Sequence, residues 1–288
     1  MTTTTTTALA LKPAIMARRG GRGLLVITSS IVAVSLLLAA FGSLIAPGAL
    51  SQDILLGVTP PGTPGHPLGT DELGRDVLQL LIAGSGSALA GPLVIALGSM
   101  LLGIIVGTLS GYVQGPFDFV MGRVTDLLLA LPVVVVAIVV AGMFGSGYWV
   151  TVAMLVVLFA PSDIRLVRAA VLEQSARPYI ESARMLRLNP LRIMFRHILP
   201  NVSPIIVTNA LVNMAIAIVS LSSLSFLGVG VAPGAADWGR QLDDGRALLL
   251  SNPAASLAPA IAIVIVACAI NLLGDAIAAR ADSRRSAA

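Results

Sequence analysis

The chain has 288 residues, 56% of them hydrophobic and 11% charged, with a formal net charge of +4 and a mean hydropathy of +0.94. Soluble domains carry roughly 25% charged residues, so lipid is the main solvent and a water-soluble globular fold is excluded. The positive balance does not indicate nucleic acid, because the arginines gather at the edges of apolar stretches, where membrane orientation accounts for them.

Residues 2–7 are all threonine, a low-complexity tract expected to be disordered. Lys12, Arg18, Arg19 and Arg22 then precede an apolar run over 24–46. That run exceeds the roughly 7–15 apolar residues of a secretory signal and ends at Pro47 without a small-x-small cleavage site, so it reads as a retained first span. Five more stretches approach the about 20 apolar residues that a spanning helix needs, near 88–113, 122–143, 149–167, 203–228 and 254–278. The fold class is therefore an all-α membrane protein with six transmembrane helices. The chain divides into a basic tail (1–23), a first span (24–46), a loop (47–87), a five-helix core (88–280) and a short tail (281–288).

The loop over 47–87 is acidic, with Asp53, Asp71, Glu72 and Asp76 against Arg75, and the loop over 229–253 holds Asp237, Asp243 and Asp244 against Arg240 and Arg246. Both tails and the segment 165–201 are basic, which places them in the cytoplasm, and six spans satisfy that parity. In the first loop, Thr70 or Asp71 can cap a helix with an acidic first turn. Val77, Leu80, Leu81 and Gly84 would give that helix an apolar stripe. It reads either as an amphipathic helix lying on the outer membrane surface or as a contact for a partner protein.

In the second span, Gly103, Gly107 and Gly111 recur every four residues, a row that lets another helix backbone approach closely. Arg123 and Asp126, three apart, are expected to pair at the cytoplasmic end of the third span. Cys268, the single cysteine, lies in the last apolar stretch and reads as a small buried hydrophobe.

Residues 165–201 carry seven arginines, two glutamates and a histidine. From Pro178 a short helix is expected, with Tyr179, Ala183 and Leu186 on one face and Glu181 paired to Arg184 on another. Asn189-Pro190 then signals the start of a second helix that stops near Pro200. Two readings fit: a knob that enters a groove on a partner, or an amphipathic pair lying on anionic lipid.

The fifth span places Asn209, Asn213, Ser220 and Ser223 on one face, with Ile216 and Leu227 completing the spacing. Uncharged polar groups in a span face a cavity or another helix, because unsatisfied polar groups cost several kcal/mol in hydrocarbon. Pathway lining and interhelical hydrogen bonding both fit. A P-loop requires a lysine after its glycines, and the only lysine is Lys12, so this chain is not itself an ATPase. An ion-coupled transporter would want an intramembrane carboxylate or matching broken helices, and neither is read from the sequence. An intramembrane serine hydrolase would need a nearby histidine, but His66 and His197 both fall in loops.

Residues 168–201 resemble the cytoplasmic EAA loop of ABC-importer membrane subunits, through Glu181-Ser182-Ala183 and Ile198-Leu199-Pro200. Ser182 replaces the family's middle alanine, and Arg187 stands where the family glycine turns the chain; Asn189 is an alternative site for that bend. A wider stretch, roughly 66–280, is similar to the subunits of peptide and nickel importers related to dipeptide permease C. The matching motifs are residues 68–77, including Gly69, Thr70, Asp71, Gly74, Arg75 and Asp76, then 225–230 with Trp238-Gly239, and 271–275.

The resemblance implies a type I importer fold in which Tyr179, Glu181, Ser182, Ala183, Leu186, Arg187 and Asn189 couple to an ATPase. It favours Asn209, Asn213, Ser220 and Ser223 as pathway lining. It implies a bacterial plasma (inner) membrane location, with a sister permease, two ATPase subunits that hold ATP and Mg²⁺, and an extracytoplasmic substrate-binding protein as partners. Short peptides are the expected substrate, with nickel the alternative; this chain is expected to hold no cofactor, catalytic residue or metal of its own.

Overall fold

The structure is a computed structural model that describes residues 17–144 and 147–285. The threonine tract, Lys12 and the last three residues lie outside the described residues. Helix α1 (Ala17–Ile45) starts well before residue 24, so the basic segment continues the first span. Its buried polar groups, Thr28 and Ser35, return their hydroxyls to the carbonyls of Leu24 and Ile31 at 2.9 and 2.8 Å. That satisfies them without a partner helix.

Helix α2 runs unbroken over Val77–Val113. The expected boundary at 87/88 and the separate outer helix are therefore both corrected. Asp76, rather than Thr70 or Asp71, is the N-cap, its carboxylate accepting from the Gln79 amide at 2.9 Å. The stripe Val77–Leu80–Gly84 is turned into the protein. A Cβ on Gly84 would stand 2.8 Å from Gln241 Nε2 and 3.0 Å from Trp238 Cδ1. Helix α8 (Trp238–Gly245) thus covers the face that the sequence suggested would lie on lipid. Further along α2, the glycine row behaves as expected. Added Cβ atoms at Gly103, Gly107 and Gly111 would come within 2.6–2.8 Å of Asp163, Ile164 and Arg168 on α5 (Tyr148–Ser175). A π-helical segment, Gly103–Gly107, sits within this row.

The expected third span is not one straight helix. Helix α3 (Gly115–Leu129) and helix α4 (Val133–Phe144) meet at an 88° bend. Pro132 explains the break, because the residue before a proline is pushed out of the helical region. Helix α6 (Pro178–Met185) is the short helix expected after α5.

The second expected short helix does not stop at Pro200; it continues into the fifth span as α7, Pro190–Phe226. Its ladder passes through a π-helical segment, Met194–Ile198, in which the Leu199 amide bonds back to the Met194 carbonyl. That wider turn lets the helix absorb a proline that would otherwise break it. Helix α9 (Ala254–Arg285) runs past the expected boundary at 280, in keeping with the alanines of its last turns. Cys268 is exposed on α9 and not buried as expected.

Among the described residues, five helices are long and apolar enough to cross a membrane, and a sixth crossing follows if the bent pair α3–α4 counts as one. No β-strand occurs among the described residues, only two isolated bridges in the 47–76 loop. The three largest buried clusters among the described residues hold the helices together. One joins α2, α7, α8 and α9 around Leu89, Ile218, Trp238 and Ile270. A second joins α2, α4, α5 and α7 around Ile95, Leu155 and Leu224. The third, around Val167, Val171, Ile180, Ile193 and Ile198, seats α6 on the ends of α5 and α7.

Candidate functional site

At the α6 end of the bundle, Ile180 and Ala183 face inward against Val167, Val171, Ile198 and Val202. The expected face of Tyr179, Ala183 and Leu186 does not form, because Leu186 points away from Ala183 into solvent. Met185 and Leu186 are 76% and 75% exposed, and Tyr179, Leu191 and Phe195 are exposed beside them. A soluble surface seldom gathers several large apolar side chains without a partner. The expected Glu181–Arg184 pair is absent: the Arg184 guanidinium lies over the Tyr112 ring at 5.1 Å, and Glu181 makes no ion pair among the described residues. The Ser182 hydroxyl returns to the Pro178 carbonyl at 3.1 Å. Tyr179 donates to Gln174 Oε1 at 2.9 Å and accepts from Asn201 Nδ2 at 3.2 Å.

Arg187 itself makes the turn. Its φ is +53°, and two bonds close a Schellman motif, from the Leu188 amide to the Ala183 carbonyl at 3.3 Å and from the Arg187 amide to the Arg184 carbonyl at 2.9 Å. Asn189 does not supply the bend; it caps α7 by accepting from the Leu191 amide at 2.9 Å. A left-handed conformation costs a residue with a Cβ roughly 1–2 kcal/mol. Arg187→Gly is therefore expected to stabilise the elbow by about 1 kcal/mol, net of the extra chain entropy of glycine, read as slower proteolysis at the α6–α7 turn. Unchanged or faster cleavage would contradict this.

The expected Arg123–Asp126 pair is also replaced. Asp126 pairs with Arg165 at 2.6 Å, while Arg123 lies over the Phe119 ring at 5.3 Å. Asp118 receives both the Arg168 guanidinium and the Ser110 hydroxyl. These groups line an open cavity of about 440 Å³ between α3 and α5.

The polar stripe of α7 divides in two. Ser220 and Ser223 border a face that exposes Ile216, Val219 and Leu227, and Ser223 lines a mostly apolar cavity of about 370 Å³ with Phe226, Ile263 and Val264. Asn213 is buried and Asn209 half-buried. Both amides donate to Asp163 Oδ1 on α5, at 2.7 and 2.5 Å. Asp163 is 3% exposed, a protein-buried carboxylate near the end of the fourth apolar stretch that the sequence reading missed. The run Pro161-Ser162-Asp163-Ile164-Arg165 looks like a membrane edge, yet α5 continues twelve residues beyond Asp163. The usable signal was the pair of asparagines one turn apart, which demanded a shared partner.

At the opposite end, the motif at 68–77 folds the loop onto itself. Thr70 Oγ1 donates to the Gly57 carbonyl at 2.6 Å and accepts from the Thr59 amide at 2.8 Å. Asp71 and Arg75 form a buried pair at 2.6 Å, and Arg75 also donates to the Gly234 carbonyl at 2.8 Å. Asp76 Oδ2 meets His66 Nδ1 at 2.7 Å. Gly74, with φ +70°, lies so close to Asp53 that a Cβ would fall 1.8 Å from its carbonyl oxygen; Gly69, with φ +71°, is similarly pinned against Thr59. The motif's ionic groups are thus spent on holding two loops together, and Glu72 is the charge it leaves exposed.

Apolar helices crossing at glycine contacts, with a protruding elbow at one end and a locked loop at the other, define a polytopic helical membrane protein built around α5 and α7. The chain belongs to the family of binding-protein-dependent transport system inner membrane components, whose profile matches residues 99–287. It is 37% identical over 210 residues to the glutathione transport system permease protein GsiD of Pectobacterium atrosepticum, covering 73% of this chain and 70% of that one. It is 34% identical over 234 residues to the di/tripeptide transport system permease protein DppC of Pseudomonas aeruginosa, covering 80% and 77%. Its fold matches the MetNI methionine ABC transporter with a TM-score of 0.58 and 21% identity, covering 70% of this chain and 96% of that one. The type I importer fold and the dipeptide permease C-like resemblance are both borne out.

Proposed function

We propose that this chain forms half of the pathway of an ATP-driven importer of short peptides, paired with a similar sister permease. Two ATPase subunits beneath it supply the energy, holding ATP and Mg²⁺. An extracytoplasmic binding protein delivers the substrate. In this reading both tails and α6 lie on the cytoplasmic side, an orientation supported by the arginine distribution.

The observation that carries this reading is the elbow at α6. Its inner face is built into the ends of α5 and α7, and its outer face presents Met185, Leu186, Leu191 and Phe195 to solvent. A short helix with exposed apolar anchors on a rigid base suits a groove on a partner, and closure of that partner on ATP would push both spans together. Anionic lipid is the weaker alternative, because the exposed side chains project from a turn between two spans and not from one long amphipathic face. The permeases named above act on glutathione and on di- and tripeptides, which makes short peptides the first choice.

The test is uptake into proteoliposomes holding this chain, its sister subunit, both ATPases and the binding protein. Labelled dipeptide, tripeptide, glutathione and Ni²⁺ are compared with and without ATP. ATP-dependent peptide accumulation is expected; ATP-dependent Ni²⁺ uptake without peptide uptake would overturn the substrate assignment.

A further inference from the structure

A buried junction of Asp163, Asn209 and Asn213 ties α5 to α7. Its geometry is unusual for a packing contact. One carboxylate oxygen accepts two amides from residues one helical turn apart, and the buried Ser99 of α2 also lies against the carboxylate. The aspartate is tightly packed at its base: a Cβ added at Gly103 of α2 would lie only 2.6 Å from Asp163 Cβ. A buried polar cluster of this kind is often no better for stability than well-packed apolar residues of the same size. What it adds is direction.

Apolar packing is non-directional, so the buried cluster around Val167, Val171, Ile198 and Val202 holds α5 and α7 together without singling out one register by hydrogen bonding. Hydrogen bonds do resist sliding. Asn209 and Asn213 reach the same oxygen from positions one turn apart, so moving α7 along α5 by a single residue's rise, about 1.5 Å, would lengthen one of the two bonds while crowding the other. Both amides can be satisfied at only one register. These are also the two helices that flank the elbow: α5 leads into α6, and α7 leads out of it. Asp163 lies twelve residues before the end of α5, roughly 18 Å along its axis.

Resting on the importer reading, we infer that Asp163 is a positioning residue for coupling: with Asn209 and Asn213 it pins α5 to α7, so that a push on α6 moves both spans as one lever. The conformational change then takes place around this pair of helices and not by sliding between them.

The experiment uses the reconstituted complex and measures peptide imported per ATP hydrolysed. Asp163→Asn keeps an oxygen that accepts both amides, and it is expected to retain at least half of the wild-type ratio. The apolar triple variant Asp163→Val/Asn209→Leu/Asn213→Leu removes the directional contact while refilling the volume. It is expected to assemble, to melt within a few degrees of wild type and to hydrolyse ATP, yet to import about tenfold less peptide per ATP. A triple variant with the wild-type ratio would overturn the inference, as would an Asp163→Asn variant as defective as the triple. If the triple variant does not assemble, Asn209→Ala/Asn213→Ala decides on the same ratio, and failure of both to assemble would assign the junction to folding alone. A wild-type complex that hydrolyses ATP without importing peptide would instead sink the importer reading before any variant is compared.

Discussion

Met185→Asp/Leu186→Asp is expected to reduce ATP-driven import at least a hundredfold while leaving the permease folded and inserted. Both side chains are about three-quarters exposed and neither joins a buried cluster, so the fold should shift by less than about 0.5 kcal/mol. They are the most exposed apolar side chains on the elbow. Burying a side chain of this size contributes about 1.5–3 kcal/mol, and a carboxylate in its place would add a desolvation penalty. Two such losses sum to about 3–6 kcal/mol, which is roughly two to four powers of ten in affinity. Co-purification with the ATPases and uptake measured together check this. Retained co-purification with retained uptake would remove the elbow from the coupling path.

A second large effect is expected at the other end of the molecule. Arg75→Ala should destabilise the protein by about 3–5 kcal/mol, because it leaves Asp71 as an unpaired charge in a buried site. Asp71 and Arg75 are 7% and 5% exposed. Asp71 also accepts the Leu73 and Arg75 amides at 3.0 and 2.9 Å, and Arg75 anchors the Gly234 loop. Asp71→Ala/Arg75→Ala removes both charges and should recover part of the loss. Thermal unfolding in detergent is the measurement, with a drop on the order of 10 °C for the single variant. A single variant no less stable than the double would show that the pair is not the source of the stability.

The spans were legible because their signal is redundant, since twenty apolar residues tolerate many substitutions. Where one residue decides, legibility varied. The close approach of α2 and α5 was readable from the glycine row, because only glycine at spacing four permits it. The length of α2 was not, because Val77–Gly84 has the same stripe whether it lies on lipid or beneath Trp238. Pro200 reads locally as a stop, and only the π-helical turn before it lets α7 continue. Arg187 shows the tertiary structure overriding preference: the clustered base of the elbow holds an arginine where a glycine would be easier.

The short helix over Pro178–Met185 lies where the sequence reading puts it, but Tyr179, Ala183 and Leu186 do not share one face. A helix of eight residues offers too few turns to fix its rotation from periodicity. The asparagines of α7 were identified without their partner, since Asp163 resembles a membrane-edge charge until α5 is seen to run past it.

The most direct measurement concerns position 186. In a Cys268→Ser background, which removes the one native thiol, a cysteine at Leu186 is challenged with a short bifunctional crosslinker in the reconstituted importer. The account predicts a crosslink to the ATPase subunit whose yield changes between nucleotide-free and ATP-bound states. A cysteine that stays open to a water-soluble, membrane-impermeant thiol reagent in the assembled complex, or is labelled from outside intact cells, would contradict it.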